Sequence, residues 1–338
     1  MKRNVLIIGG GPAGIEAAHR IRDYGHTPIL IEKEPRLGGH LAKWHKLFPD
    51  GESTKELLTS LTSDLEGINC FTDTNIISIN KLKDLYVAIF SNGISVQADA
   101  ILFATGFSMF PAEKKEEYGY GIYNHVITNA DLENFFNTGK DPRIQDPKVI
   151  GFVHCVGSRD EKAGNRQCSK VCCATAIKQA CEMKELYPDA TIYCFYMDLR
   201  MFGRKYEDLY LNAQRKYGIF FVRGRVSEVS EDIDGKLVVK AEDTLVGKPL
   251  RITMDLLVLM AGMSPCVETP EIASMTGVHT GEDGFFMPRD LLCRTTESHS
   301  KGIFFAGAAT GPKTIPETLN EARVAAMAID NYFKQKAK

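Results

Sequence analysis

The feature that most restricts how this chain can fold lies within its first 32 residues. An apolar run at 4–8 is followed by Gly9, Gly11 and Gly14, which have the spacing G-x-G-x-x-G. An amphipathic segment and a second apolar run come next, and the second run ends at Glu32. This pattern predicts a parallel βαβ unit that binds a dinucleotide, because it has a strand, a glycine turn, a helix, a second strand and an acidic residue in the required order.

Each part of this pattern has a physical role at such a site. Gly9 permits the tight turn, Gly11 lets the backbone approach a pyrophosphate, and Gly14 allows close packing of the helix on the strand. The helix N-terminus supplies free N–H groups and the positive end of its dipole for the phosphates. Glu32 is placed to accept hydrogen bonds from the adenosine ribose. A lone glycine triplet is a weak signal, whereas the whole ordered pattern is specific.

Three later segments resemble those of flavoproteins with two dinucleotide-binding domains, and they favour FAD over NAD. They are a glycine pair within 35–39, an A-T-G turn after the apolar run in 98–106, and G-I-F-F-A-G at 302–307 before a helical run at 316–328. Because these segments reach both ends of the chain, we expect a discontinuous FAD-binding domain. The resemblance implies these cofactor-binding residues: Gly9, Gly11, Pro12, Ala13, Gly14, Glu32, Lys33, Gly38, Gly39, Ala104, Thr105, Gly106, Gly307, Ala308, Pro312 and Ile315.

The chain departs from those flavoproteins at one position. They carry an acidic residue after the last glycine of the closing motif, where this chain has Ala308 and Ala309. We therefore expect backbone groups or another side chain to contact the ribityl chain of FAD. Lys313 follows nearby, and two interpretations stay open: a cation that stabilises reduced flavin, or a solvated residue at the start of a helix.

The length of 338 residues suits two domains, or one large domain with an insertion. A polar linker with two D-P pairs at 141–147 precedes a new apolar run, a helical segment and further strands, and 255–262 repeats the pattern of 99–106. We predict an α/β protein with two dinucleotide-binding (Rossmann-like) domains of the thioredoxin and glutathione reductase type, the second inserted in the first. The predicted boundaries are 1–147 and 266–338 for the FAD-binding domain and 148–265 for the inserted domain.

The inserted domain has no glycine fingerprint after its first strand. Residues 151–160 read G-F-V-H-C-V-G-S-R-D, so the pyrophosphate turn is missing, which argues against NAD(P)H binding there. Four cysteines stand in its place with the spacing C-x12-C-x3-C-C, namely Cys155, Cys168, Cys172 and Cys173. Cys155 is expected at the edge of the sheet, and Cys168 and Cys172 would share one face if their segment were helical.

Four thiols within nineteen residues can bind zinc or an iron–sulfur cluster, form a redox disulfide, or be incidental. Zinc usually takes paired C-x2–4-C knuckles, and a vicinal pair is unusual for it. No C-x-x-C occurs, and a disulfide between the adjacent Cys172 and Cys173 would be strained. The pattern favours a [4Fe–4S] cluster, with zinc and incidental thiols as the alternatives. The remaining cysteines are interpreted as buried or isolated thiols: Cys70, Cys181, Cys194, Cys266 and Cys293.

The cysteine motif resembles one family closely. C-V-G-S-R-D at 155–160, C-S-K-V-C-C at 168–173, A-I-K-Q-A at 176–180 and A-T-G-P-K at 309–313 are similar to the A-type flavoprotein subunit of heterodisulfide reductases. The resemblance covers nearly the whole chain. It implies an oxidoreductase in which the four cysteines ligate a [4Fe–4S] cluster near FAD, with other subunits of a heterodisulfide-reductase-like complex as partners and a homodimer.

Full-length members of that family carry ferredoxin-like segments with C-x2-C-x2-C runs, and none occurs in this sequence. The chain is similar instead to short forms, such as the subunit of the complex of sulfur-oxidising prokaryotes, which implies sulfur or thiol–disulfide metabolism. Another short form is the flavin subunit of a quinone-interacting membrane-associated oxidoreductase. Two other functions stay open: a stand-alone FAD-dependent NAD(P)H or disulfide reductase, and a flavoprotein scaffold with structural zinc.

Composition limits the partners further. A net charge of -2 argues against nucleic acid or an anionic membrane as the main partner. The N-terminal apolar run is too short for a signal peptide, and no run approaches the ~18–20 apolar residues of a membrane span. We therefore expect a cytoplasmic protein, whose nine cysteines are thiols or metal ligands rather than disulfides.

Overall fold

A computed structural model describes residues 2–336 of the chain as a mixed α/β protein. Its strands are β1 (Asn4–Ile8), β2 (Thr27–Ile31), β3 (Asn69–Phe71), β4 (Ile76–Leu82), β5 (Leu85–Phe90), β6 (Ser95–Ala98), β7 (Ala100–Phe103), β8 (Phe107–Met109), β9 (Val126–Thr128), β10 (Val149–Val156), β11 (Thr191–Tyr196), β12 (Phe220–Arg223), β13 (Val226–Glu231), β14 (Leu237–Asp243), β15 (Lys248–Met254), β16 (Leu256–Ala261), β17 (Met263–Pro265) and β18 (Ile303–Phe305). Its α-helices are α1 (Pro12–Asp23), α2 (Thr54–Thr62), α3 (Asn129–Thr138), α4 (Cys172–Leu186), α5 (Tyr206–Arg215), α6 (Thr269–Thr276) and α7 (Ile315–Lys336). None of the helices within residues 2–336 is long and apolar enough to cross a membrane.

The chain divides into two compact units. Unit 2 consists of Lys43–Ser53 and Met109–Met263, and unit 1 consists of the segments before, between and after these two. Each unit has a five-stranded parallel sheet, in the order β18-β7-β1-β2-β3 in unit 1 and β12-β11-β10-β16-β9 in unit 2. Each also has a three-stranded antiparallel sheet, β4-β5-β6 or β13-β14-β15. The two strand orders are the same when β10 is matched with β1.

The compact units differ from the predicted domains in two places: Lys43–Ser53 belongs to unit 2, and the main segment of unit 2 starts earlier than predicted. The predicted inserted domain begins at residue 148, whereas the main segment of unit 2 begins at Met109. The reason is β9, which precedes the polar linker in sequence yet pairs in parallel with β16, with Val126 opposite Leu257. Pairing at the sheet edge therefore assigns 109–147 to unit 2. The other predicted boundary, after residue 265, lies close to Met263, the last residue of unit 2.

Apolar side chains explain why the central strands form parallel sheets. The last four residues of β1 and all six of β16 are buried, as expected of parallel strands covered on both faces. In unit 1 the rings of Phe103, Phe286 and Phe305 stack in the core. Their centroids are 5.2 Å apart between Phe103 and Phe286 and 5.4 Å apart between Phe286 and Phe305. Phe103 and Phe305 are the last residues of β7 and β18, so the stack packs Phe286 onto the ends of these two paired strands.

A buried network of charged groups holds Lys43–Ser53 within unit 2. Lys178 and Glu133, whose side chains are 6% and 2% exposed, form an ion pair between α4 and α3 at 2.5 Å. The other oxygen of Glu133 accepts a hydrogen bond of 2.7 Å from the backbone N–H of His45, and Lys178 Nζ donates to the Lys46 carbonyl oxygen at 3.1 Å. The pair therefore fixes the position of a segment that sequence patterns did not assign to this unit.

Replacing one partner of this ion pair tests its role. Lys178→Met would leave the Glu133 carboxylate buried without its cation, and we expect the free energy of unfolding of unit 2 to fall by about 3–5 kcal/mol. Urea denaturation followed by far-UV circular dichroism measures this change. The exposed Lys248→Met is the matched control and should change stability by less than about 0.5 kcal/mol. Equal effects of the two variants would contradict the assigned role.

Candidate functional site

The glycine turn between β1 and α1 depends on close backbone packing. A Cβ atom at Gly9 would lie 2.3 Å from the Ala104 carbonyl oxygen, and one at Gly14 would lie 1.9 Å from the Gly9 carbonyl oxygen. A Cβ atom at Gly11 would meet nothing within 4 Å. Gly9 and Gly14 are thus required by the fold itself, whereas Gly11 borders open space at the N-terminus of α1.

This N-terminus has the features of an anion-binding site. Pro12 starts α1 and is followed by Ala13 and Gly14, and the first turn carries no acidic side chain. Among the described residues, no side chain caps the helix at Gly11. The N–H groups of the first turn and the positive end of the helix dipole are therefore available to a phosphate.

Glu32 and Lys33 are held by other parts of unit 1. The Glu32 carboxylate is buried and accepts hydrogen bonds from the backbone N–H groups of Gly10 at 2.7 Å and Glu34 at 2.9 Å. This carboxylate therefore supports the glycine turn, and its remaining lone pairs are available to a ribose. Lys33 is half-exposed and forms an ion pair with Glu268.

The glycine pair at 38–39 packs directly on the first turn. The Gly38 N–H donates to the Gly10 carbonyl oxygen at 2.7 Å, and a Cβ atom at Gly39 would lie 3.2 Å from the Gly11 Cα atom. Gly38 has φ +119° and Gly39 has φ +53°, conformations that favour glycine. The structure thus brings this segment to the same place as the first glycine turn.

The ends of β7 and β18 complete the same edge of the sheet. Ala104 is buried and follows β7, while Thr105 Oγ1 is buried and has no hydrogen-bond partner among residues 2–336. Gly106 has φ +69° and borders open space. A Cβ atom at Gly307 would lie 2.8 Å from the Ala13 Cβ atom, so β18 also ends at the glycine turn.

The segment after β18 forms a short 3-10 helix, Gly307–Thr310, which contains the buried Ala308. Pro312 lies in the link that follows, and Ile315 is the first residue of α7. Lys313 Nζ donates to the Gly307 carbonyl oxygen at 3.1 Å and to Thr310 Oγ1 at 2.6 Å.

Lys313 also forms an ion pair with Glu321 at 3.3 Å, and its side chain is 18% exposed. Burial raises the pKa of Glu321 above its usual value, although the Lys313 charge acts in the opposite direction. Lys313 is therefore a largely buried part of a polar network rather than a solvated side chain.

These observations test whether unit 1 suits a dinucleotide. Three features lie at the carboxyl edge of one parallel sheet, where such ligands bind in this class of fold. They are the open space beside Gly11, the free N-terminus of α1 and the unpartnered Thr105 hydroxyl. The donor groups and the space fit a bound dinucleotide.

In unit 2, the end of β10 departs from regular strand geometry. The pairing with β16 shifts register between Val153 and Val156, which is a β-bulge, and Cys155 has φ +60°. In a regular strand Cys155 would share the face of Val153. Instead it packs with Phe152 and α4, while Val153 and Val156 pack on the opposite face. The bulge therefore turns Cys155 towards the helix that carries the other cysteines.

Three of the four cysteines are in contact. The Cys172 thiol forms hydrogen bonds with both Cys155 and Cys173, and all three residues are at least nine-tenths buried. The hydrogen bond with Cys172 lowers the pKa of Cys155 to about 7. The same kind of bond, with help from the neighbouring His154, lowers the pKa of Cys173 well below its usual range. The pKa of Cys172 is raised, because it shares its proton with both neighbours and is buried.

Cys168 lies in a different local structure. Because α4 begins at Cys172, Cys168 is in the preceding loop and the helical i, i+4 relation does not form. Its sulfur accepts a hydrogen bond of 3.3 Å from the Lys170 backbone N–H, and it is partly exposed. Within residues 2–336, no group of three or more His, Cys, Asp or Glu side chains is arranged as a metal site.

Arg159 links the loop to the buried thiols, and no role was predicted for it although it follows Cys155 by four residues. It interacts electrostatically with both Cys155 and Cys168, and its Nη2 atom forms an ion pair with Asp198 at 2.7 Å. Its Nη1 atom is buried without a hydrogen-bond partner among the described residues. A free cationic donor beside thiols of lowered pKa fits a sulfur-ligated, electron-rich group.

The other five cysteines are not part of the predicted quartet, although Cys181 and Cys194 share the buried core cluster of Cys155, Cys172 and Cys173. Cys181 and Cys194 are buried in the core of unit 2, and Cys70 and Cys293 are exposed. The Cys266 thiol donates a hydrogen bond of 2.8 Å to Glu268, and burial raises its pKa to about 11. All nine cysteines are free thiols.

The sequence and structure match known proteins in three ways. Residues 3–151 match the family described as pyridine nucleotide-disulphide oxidoreductase. The A-type iron–sulfur subunit of the CoB–CoM heterodisulfide reductase of Methanocaldococcus jannaschii is 32% identical over 97% of this chain and 64% of its own length. The A-type subunit of the H(2)/formate:CoB–CoM heterodisulfide,ferredoxin reductase of Methanococcus maripaludis is 43% identical over 70% of this chain and 37% of its own. The chain thus spans less than two thirds of the length of either relative.

Among solved structures, the thioredoxin reductase of Lactococcus lactis superimposes with a TM-score of 0.69 at 18% identity, over 99% of this chain and 100% of the other. A similarity at this identity concerns the fold alone. The structural similarity confirms the predicted α/β fold with Rossmann-like sheets. The sequence matches confirm the family resemblance that the cysteine motif predicts. The chain is a homologue of the A-type iron–sulfur subunits of heterodisulfide reductases and has the fold of the thioredoxin reductases.

Proposed function

We propose that this chain is the electron-transfer flavoprotein subunit of a heterodisulfide-reductase-like complex, with FAD in unit 1 and a [4Fe–4S] cluster in unit 2. The observation that carries the proposal is the contact among the thiols of Cys155, Cys172 and Cys173, which a β-bulge brings together at the carboxyl edge of the sheet. A strand residue with φ +60° is costly, by about 1–3 kcal/mol, and such strain persists mainly at functional sites.

FAD would be held by the residues of the glycine turn and the segments that meet it. The N-terminus of α1 beside Gly11 would bind the pyrophosphate, Glu32 the ribose, and Thr105 would donate its free hydroxyl. When bound, FAD would supply two-electron redox chemistry and the cluster single-electron transfer. The other proposed FAD contacts are Pro12, Ala13, Gly14, Lys33, Gly38, Gly39, Ala104, Gly106, Gly307, Ala308, Pro312 and Ile315.

The cluster would be held by Cys155, Cys168, Cys172 and Cys173. Metal ligation requires thiolates, and the lowered pKa of Cys155 and Cys173 makes two of them available near neutral pH. Cys172 and Cys173 also begin α4, whose positive dipole end favours negative charge. The exposed loop around Cys168 would have to approach the three buried thiols when the cluster binds.

The biological setting is part of the same proposal. The relatives are named as subunits of heterodisulfide reductases, which supports other subunits as partners and an oxidoreductase role in sulfur or thiol–disulfide metabolism. We also propose a homodimer and a cytoplasmic location.

A second candidate, a stand-alone NAD(P)H-dependent reductase, is favoured by one observation. The parallel sheet of unit 2 has the same strand order as that of unit 1, which suits a second dinucleotide. The connections after the first strands differ, however. Three residues join β1 to α1, whereas fifteen residues, with no G-x-G-x-x-G, join β10 to α4. We therefore prefer the electron-transfer role.

Gly11→Ala tests the FAD site. An alanine at this position has room in the folded chain but would occupy the space proposed for the pyrophosphate, so we expect the Kd for FAD to rise at least about tenfold, or ~1.4 kcal/mol. Fluorescence titration of the FAD-free protein measures the Kd. The thermal midpoint of the FAD-free protein should stay unchanged, because no contact within 4 Å is created. An unchanged Kd would contradict the proposed site.

Cys168→Ser tests the cluster ligands. We expect the anaerobically purified variant to lose most of its iron and acid-labile sulfide while its FAD content stays at the wild-type level, because the flavin segments belong to unit 1. The exposed Cys70→Ser is the matched control and should keep the full iron content. About one zinc per wild-type chain without iron would instead indicate a structural zinc site.

A further inference from the structure

The segments that follow β10, β11 and β12 carry a concentrated positive charge. Residues 157–171, 197–205 and 223–225 together contain nine Lys or Arg and three Asp or Glu, whereas the whole chain has 41 Lys or Arg and 43 Asp or Glu. Outside these segments, acidic residues therefore outnumber basic ones. Because the strands are parallel, their carboxyl ends meet at one edge of the sheet, and the three segments surround the cysteines there. We call this surface the basic rim.

The centre of the basic rim is a single carboxylate shared by several arginines. Asp198 pairs with Arg159 at 2.7 Å, lies 3.9 Å from Arg223 Nη2 and also interacts with Arg200. Arg225 donates a hydrogen bond of 2.9 Å to the Arg159 carbonyl oxygen. One carboxylate cannot neutralise this many guanidinium groups, so the centre of the rim keeps a net positive charge.

The outer part of the rim is more balanced. Arg166 pairs with Glu161 at 3.2 Å, and Lys205 pairs with Asp50 at 2.8 Å. The excess charge is therefore concentrated near Asp198 and in the exposed Arg200 and Arg204 rather than spread evenly.

The rim also has an apolar contact point and lies next to the thiols. Phe202 is 58% exposed, and Lys170 Nζ lies 5.9 Å from the centroid of its ring. The Cys173 sulfur lies 3.7 Å from the carbonyl oxygen of Asp198, so the buried thiols are directly beneath the centre of the rim.

We propose that the basic rim is the docking surface for an acidic protein that carries a one-electron redox centre. This inference rests on the proposed function, because it takes the thiols beneath the rim as cluster ligands. A compact positive surface speeds and orients the approach of a negatively charged protein, and an exposed aromatic residue supplies an apolar contact within it. A short rim within an otherwise acidic chain suits a small acidic protein better than a long nucleic acid, which would meet repulsion beyond the rim.

Charge reversal at the rim tests the docking surface. Arg200→Glu/Arg204→Glu is compared with the matched control Lys248→Glu/Arg251→Glu, which makes the same charge change on exposed positions of β15. The probe is a purified acidic ferredoxin, and its association rate constant with the immobilised chain is measured by surface plasmon resonance. At about 50 mM salt the rim variant should associate at least ~10-fold more slowly than wild type, and the control should stay within about twofold.

Salt provides a second measure of the same effect. The difference between wild type and the rim variant should shrink strongly at about 500 mM salt, since screening removes steering between exposed charges. The single variants Arg200→Gln and Arg204→Gln should each slow association by about threefold at low salt. They keep the test valid if the double variant folds poorly.

Two results would overturn the docking surface. One is equal association of the ferredoxin with wild type, rim variant and control at low salt. The other is that a DNA duplex of about 20 base pairs binds the wild type more tightly than the ferredoxin does, and that the rim variant no longer binds this duplex. The rim would then be a nucleic-acid surface.

Removing iron and sulfide separates this inference from the proposed function. Docking depends mainly on the charges around Asp198, Arg200 and Arg204, which lie outside the Cys168 loop, so the cluster-free chain should still bind the ferredoxin in a salt-dependent way. The wild-type protein could instead prove to contain no iron and still bind the ferredoxin in a salt-dependent way. In that case the proposed cluster would be wrong and the docking surface would remain supported.

Discussion

The pairing of β10 with β16 controls the geometry on which the cysteine site depends. One extra residue between Val153 and Val156 turns Cys155 from the face that packs on the antiparallel sheet to the face that packs on α4. The left-handed backbone at Cys155 costs free energy, and burial against Phe152 and Cys172 offsets it. The thiol contacts and the lowered pKa values follow from this single irregularity in the strand.

The two units show how one strand order supports two different sites. In unit 1 a three-residue turn brings the helix N-terminus directly to the end of β1 and leaves open space beside Gly11. In unit 2 a fifteen-residue loop separates β10 from α4 and supplies Arg159 and Cys168 instead. The sheet fixes where a ligand can bind, whereas the connecting loops decide which chemistry is present.

Much of the fold could be predicted, because its signals are local. The glycine spacing, the acidic residue at Glu32 and the buried apolar runs each predict a backbone conformation or a buried strand without reference to distant residues. The predicted start of the inserted domain stays a prediction, and compact unit 2 includes β9 only because β9 pairs with β16, about 130 residues later in the chain. The position of Lys43–Ser53 depends likewise on a buried ion pair between two helices.

For the candidate sites, the amino-acid sequence by itself determined which groups are present: a dinucleotide turn at Gly9–Gly14 and four cysteines in a spacing typical of one family. Only the tertiary structure decided how those groups meet. A period of two residues predicts the wrong face for Cys155, since a bulge leaves no mark in the sequence pattern. The surplus of arginines around Asp198 is likewise invisible in the sequence, because it exists only where the ends of separate parallel strands converge.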